Sequence, residues 1–155
     1  MQSQPQKNWQ LAATSSKLNG VKADQAWSLL SRDYYSIHKY IPSLVVDTKK
    51  IDGNRHLTVT LAGSPPIYYA KDRLLKMDQA GRSYTYEVVE NNLGLGKVVA
   101  TVKVVPVGAD SCAIEWSSVT EPAPGWTVSD FTNYLQTAAS ETAKKVGEVL
   151  RAGNK

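Results

Sequence analysis

The sequence predicts an α+β domain in which a curved antiparallel sheet holds a long C-terminal helix. Three observations carry this reading. Six strand-like runs follow one another between residues 44 and 120, joined by connections so short that neighbours must run antiparallel. Residues 127–152 repeat apolar side chains at the helical period along one face. The chain of 155 residues, 42% apolar and 21% charged, suffices for one domain with a sizeable core and carries no internal repeat or linker.

Residues 1–8 are polar and predict a flexible N-terminus ahead of a single domain over 9–153. WQLAATSSKL (9–18) has strand character. ADQAWSLLSRDY (23–34) places Ala26, Trp27, Leu29 and Leu30 at helical spacing, and SIHKYIPS (36–43) predicts a second short helix stopped at Pro42. Strands are predicted over 44–51, 55–62, 67–76, 82–90, 98–107 and 112–120. Between them lie Asp52-Gly53-Asn54, Gly63-Ser64-Pro65-Pro66, Gln79-Ala80-Gly81, Asn91 to Gly96, and Gly108-Ala109-Asp110, all rich in turn residues. Thr127 and Asp130 form an N-terminal cap with its reciprocal partner for the last helix, and Gly153 ends it. Its apolar face is Phe131, Leu135, Ala138, Ala139, Thr142, Ala143, Val146, Val149 and Leu150. The small residues among these cannot fill the space beneath a strongly curved sheet, which predicts an internal gap suited to a ligand.

Composition narrows the function. The net charge of +4 is scattered, with Lys49-Lys50 and Lys144-Lys145 the densest spots, so nucleic-acid binding is poorly supported. The N-terminal stretch MQSQPQKNWQ has no apolar core for a signal peptide, and no run predicts membrane insertion. A single cysteine, Cys112, has no partner for an internal disulfide and fits a reducing, cytoplasmic setting. His38, His56 and Cys112 give no metal-ligand spacing, and no nucleophile-elbow motif appears. Gly94-Leu95-Gly96-Lys97 has only part of a phosphate-loop spacing and lies between strands, so it reads as a hairpin turn. No cofactor is implied. The partner expected is a small hydrophobic metabolite, bound by a monomer or weak dimer.

Two charges break the apolar pattern. Counting by twos along the strands, Arg55 falls in register with Leu57, Val59 and Leu61, and Asp72 with Tyr68, Ala70 and Leu74. A charge on an apolar face is costly unless it is paired. Arg55 and Asp72 therefore form either a structural ion pair or a cavity-lining pair that binds a ligand and moves a proton. Tyr84, Tyr86, Ile114 and Trp116 share the inward face. An inward set of Arg55, Asp72, Tyr84, Tyr86 and Trp116 is polar for a plain core but ordinary for a pocket. The expected lining is Leu57, Val59, Tyr84, Tyr86, Val98, Ala100, Ile114, Trp116, Leu135 and Ala139.

The stretches AWSLL (26–30), IHKYIPSL (37–44), AKDRLLKMD (70–78), RSYTYEVVENNLG (82–94) and VATVKVV (99–105), with Trp116, resemble plant lachrymatory-factor-synthase-like proteins. These belong to the START-like, Bet v 1-like superfamily of polyketide cyclases, dehydrases and lipid-transport proteins. The resemblance implies a helix-grip fold, a curved seven-stranded antiparallel sheet around the C-terminal helix with two short helices and an internal cavity. In the onion member an inward arginine is thought to hold the substrate oxygen while an inward glutamate shuttles a proton; these positions fall on Arg55 and Asp72. A pocket tyrosine matches Tyr86, and a pocket tryptophan matches Trp116. The sequence departs from that pattern at Val98, where the onion enzyme has a second functional tyrosine, and at Asp72, one methylene shorter. Both departures speak against the onion product.

Other branches fit less well. The glycine-rich loop of the pathogenesis-related branch is missing between strands 44–51 and 55–62. The latch of the abscisic-acid receptors is absent near Asn91, although Gly63-Ser64-Pro65-Pro66 is comparable to their gate loop. The function expected is thus cofactor-independent isomerisation, cyclisation or dehydration of a reactive plant metabolite, a lyase-type activity with Arg55, Asp72 and Tyr86 as its catalytic groups. The alternative is a non-catalytic carrier or sensor.

Overall fold

A computed structural model describes residues 10–61 and 66–153. The N-terminal stretch 1–8, and Gly63, Ser64 and Pro65 of the gate-like turn, lie outside the described residues. Seven strands, β1 (Gln10–Asn19), β2 (Val45–Ile51), β3 (Asn54–Val59), β4 (Tyr68–Asp78), β5 (Ser83–Asn91), β6 (Val98–Gly108) and β7 (Ser111–Thr120), form one antiparallel sheet. Its order is β1-β7-β6-β5-β4-β3-β2, so β2 to β7 run as a meander and β1 closes onto β7. The helices are α1 (Ala23–Arg32), a 3-10 helix (Tyr34–Lys39) and α2 (Val128–Gly153).

The turn chemistry sets the meander. Asp52 and Gly53 both adopt positive φ, 53° and 83°, the backbone of a two-residue hairpin whose twist matches its strands. Between β4 and β5 the register slips at Lys71/Asp72 and again at Leu74/Lys76. Such bulges bend a strand and strengthen its twist, and the first lies beside Asp72.

One face of the sheet is buried by strict alternation, with Arg55, Leu57 and Val59 on β3 and Val98, Ala100, Val102 and Val104 on β6. Against it α2 buries Phe131, Leu135, Ala138, Ala139, Ala143 and Val146. The N-terminus of α2 is capped as its sequence predicts. Thr127 Oγ1 accepts from the Asp130 N–H at 3.0 Å, while the Thr127 N–H donates to Asp130 Oδ2 at 3.1 Å. α1 buries Ala26, Trp27, Leu29 and Leu30 and packs on β5, β6, β7 and α2. No described helix is long and apolar enough to cross a membrane.

The short helices differ from their sequence reading. α1 stops at Arg32, and the second short helix is a 3-10 helix over Tyr34–Lys39 rather than a helix over 36–43. Asp33 is the cause. Its backbone N–H ends α1 on the Leu29 carbonyl at 2.9 Å, and its carboxylate accepts from Arg32 and from the Tyr40 hydroxyl. Drawing Tyr40 back onto Asp33 forces tight winding, and Ser36 leaves helical geometry altogether.

Candidate functional site

β3 and β4 place the two inward charges directly opposite each other, Arg55 paired with Asp72. Each is 2% exposed. Arg55 Nε lies 3.0 Å from both carboxylate oxygens of Asp72, and Nη2 lies 2.7 Å from Oδ2. Tyr34, at the start of the 3-10 helix, closes the arrangement. Its hydroxyl donates to Asp72 Oδ1 at 2.8 Å, and its carbonyl accepts from Arg55 Nη1 at 2.9 Å. The guanidinium carbon sits 3.9 Å from the centre of the Tyr34 ring and 4.8 Å from that of Tyr86, so the cation is held between two π faces.

These contacts use the acceptor capacity of Asp72 but not the donor capacity of Arg55. Among the described residues Nη1 and Nη2 each make one hydrogen bond within bonding geometry, so one N–H on each is left over, with the Tyr84 hydroxyl as a neighbour of the guanidinium. Trp116 Nε1 donates to the Tyr86 hydroxyl at 3.1 Å, which leaves the Tyr86 proton free to point at a third group. The Tyr84 hydroxyl is buried with no hydrogen-bond partner among the described residues. Burial is the largest single influence and would lower the Arg55 pKa, but the charge of Asp72, its hydrogen bond and the Tyr34 and Tyr84 hydroxyls together outweigh it and hold the guanidinium above its ordinary value. Burial raises the hydroxyls of Tyr34, Tyr84 and Tyr86, so all three stay protonated at neutral pH.

The pair lines an inner cavity of about 80 Å³ between the sheet and the first turns of α2. Of the expected lining, Leu57, Val59, Tyr86, Val98, Ala100, Trp116 and Leu135 face it, with Arg55 and Asp72. Tyr84, Ile114 and Ala139 do not. Tyr84 and Ile114 lie further along the sheet, where Trp27 of α1 and Tyr34 cover Tyr84 and the core closes without a gap. Ala139 is fully buried, but it is turned about 100° from Ala138, and it is Ala138 that meets the cavity. Thr142 and Ala143 are likewise packed rather than cavity-lining, so the gap sits at one end of α2 only.

Sequence reasoning missed several walls, among them Ile37, Ile41, Phe131 and the pair Leu93 and Tyr134. It also missed Tyr34, whose signal was present: Trp27, Leu30 and Tyr34 follow the helical spacing of one buried face. Outside the cavity an open groove of about 750 Å³ runs past Leu44, Leu61, Trp126 and Asn133. No cluster of metal-ligating side chains occurs among the described residues.

The sequence model of the family described as "Polyketide cyclase / dehydrase and lipid transport" matches residues 11–150. The chain belongs to that family. Solved structures share its fold. A major latex-like protein of ginseng (Panax ginseng) superposes with a TM-score of 0.73 at 15% identity, covering 88% of this chain and 97% of that one. Norcoclaurine synthase of Thalictrum flavum, solved with dopamine and hydroxybenzaldehyde, gives 0.67 at 19% identity over 96% and 91%. A START superfamily protein of Mycobacterium smegmatis gives 0.70 at 11% identity over 92% and 97%. These likenesses show the helix-grip fold. This polyketide cyclase/dehydrase family member thus has a ligand-binding fold, and the synthase of Thalictrum flavum shows that some proteins of the fold are enzymes.

Proposed function

We propose that the protein is a cofactor-independent enzyme that isomerises, cyclises or dehydrates a small reactive metabolite in the inner cavity. The observation that carries this reading is a buried ion pair, with unfilled donors, in the wall of a cavity otherwise lined mainly by apolar groups. A pair serving stability alone is readily replaced by apolar side chains of similar volume. A pair that fronts a cavity is suited to bind an oxygen and move a proton in low dielectric.

In this reading the free N–H groups of Arg55 hold the substrate oxygen, and the Tyr86 hydroxyl donates to the same atom. As the substrate oxygen takes over part of the Arg55 guanidinium, Asp72 is released to accept a proton from one substrate atom and return it to another. Isomerisation and cyclisation by this route need no net electron transfer, and dehydration releases the oxygen as water. The resemblance to lachrymatory-factor-synthase-like proteins supports the lyase-type assignment in plant specialised metabolism. Val98 and the shorter acid of Asp72 argue for a different product.

The outer groove favours a second reading, a carrier or sensor that binds a small hydrophobic metabolite without converting it. Mass spectrometry of small molecules retained by protein purified from its native source separates the two. Incubating the retained compound with fresh protein should yield a new species of the same mass, or of that mass less water. Recovery of the compound unchanged would support the carrier.

A further inference from the structure

The inner cavity and the outer groove are adjacent but distinct, and among the described residues their walls share only Leu93 and Tyr134. These two come from different elements, Leu93 from the β5–β6 loop and Tyr134 from α2. Trp126, just ahead of α2, ties them together. Its Nε1 donates to the Leu93 carbonyl at 2.9 Å, and its ring packs at 6.3 Å on Tyr134 and 5.8 Å on Phe131. The loop itself is braced from within: Asn91 Oδ1 accepts from the Leu93 and Leu95 N–H groups, and its Nδ2 donates to the Leu95 carbonyl. A braced loop held to the helix by one hydrogen bond and one ring is a wall that can open as a unit.

Resting on the inner cavity being the ligand site proposed above, we infer that this Leu93–Tyr134 wall, tied by Trp126, selects ligands by length. The inner chamber takes a neutral, oxygen-bearing head, and a longer apolar tail reaches the outer groove only by parting the wall. Size supports the first half. A cavity of about 80 Å³ is smaller than the roughly 150 Å³ apolar cavity that accommodates benzene, so a closed wall admits only a few heavy atoms. Charge supports the second. Among the described residues, Arg55 and Asp72 are the only charged ones in the lining and cancel each other, so a carboxylate head would be buried without a counter-charge. A ketone, aldehyde or similar oxygen accepts from Arg55 and Tyr86 at no such cost.

Nuclear magnetic resonance reads this without turnover, so its failure and the failure of the enzymatic reading are distinguishable. Trp116 lines the inner chamber and Trp126 stands at the wall, and each contributes its own indole N–H signal. Butanone is expected to move the Trp116 signal and leave that of Trp126; nonanone should move both. Tyr134→Ala should raise nonanone affinity relative to butanone about tenfold, the gain of roughly two buried methylenes. Should that variant not fold, Trp126→Phe keeps a ring but loses the bond to Leu93, and should speed nonanone exchange at Trp116 without changing butanone exchange. An unchanged ratio of the two ketones, unchanged exchange, or nonanone acting on Trp126 alone overturns the wall. Butyrate binding more tightly than butanone overturns the neutral head.

Discussion

Arg55 cannot lose Asp72 without becoming an unpaired charge in the protein interior. Arg55→Met or Asp72→Asn alone should therefore cost about 3–5 kcal/mol of stability. The double variant Arg55→Met/Asp72→Leu should recover most of that loss, because it removes both desolvation penalties together. Urea unfolding measures this, and a double variant no more stable than the singles would mean that the pair is not enclosed. Tyr34→Phe keeps the ring over the guanidinium and the carbonyl bond but removes the hydroxyl from Asp72. It should cost about 1–3 kcal/mol, the usual loss when a buried polar group is left short of a partner. Combined with Asp72→Asn its effect should be less than additive, since both substitutions break one network.

At the level of the elements, the capping pair of α2 and the braced β5–β6 loop give separate tests. Thr127→Ala removes the side-chain half of the cap and should cost about 0.5–2 kcal/mol, read from the unfolding midpoint. Asn91→Ala removes the three bonds by which the Asn91 side chain braces the loop, so the Leu93 and Leu95 amides should exchange hydrogen faster while the strand amides of β6 do not. The elements legible in the sequence are those with a strong local signal. Alternation marked Arg55 against Leu57 and Val59, Asp52-Gly53 marked its hairpin, and the Thr127–Asp130 spacing marked the cap. The 3-10 helix was not legible, because the Asp33–Tyr40 hydrogen bond that shapes it is a contact between side chains, invisible to periodicity. For the same reason Leu93 and Tyr134 gave no warning that they share a wall: one is in a loop, the other on a helix whose rotation depends on packing.

For the whole molecule, acid should act through Asp33 and Glu87. The hydrogen bond from Arg32 holds Asp33 below the usual carboxylate range, helped by Tyr40 and opposed by burial. Hydrogen bonds from Lys97 and Arg73 do the same for Glu87. A carboxylate whose folded pKa is depressed binds fewer protons in the native state than in the unfolded one. Its stabilisation is therefore complete above the unfolded value, about 4, and is lost as pH falls through the lower folded value. Urea midpoints should hold steady from neutral pH down to about pH 5 and then decline. Glu87→Gln should shallow that decline, and an unchanged slope would assign the acid sensitivity elsewhere.

The inward face of the sheet places a charged pair, Tyr86 and Trp116 around one end of α2, and the catalytic reading depends on Asp72 moving a proton there. The most direct measurement compares wild type with Asp72→Asn on the metabolite recovered from the native protein, scoring binding and conversion separately at a temperature where circular dichroism shows both proteins folded. The account predicts that the variant binds the compound within a few-fold of wild type yet converts it at least about a hundredfold more slowly, the usual contribution of a positioned proton-transfer group. Equal conversion by the two proteins would contradict it.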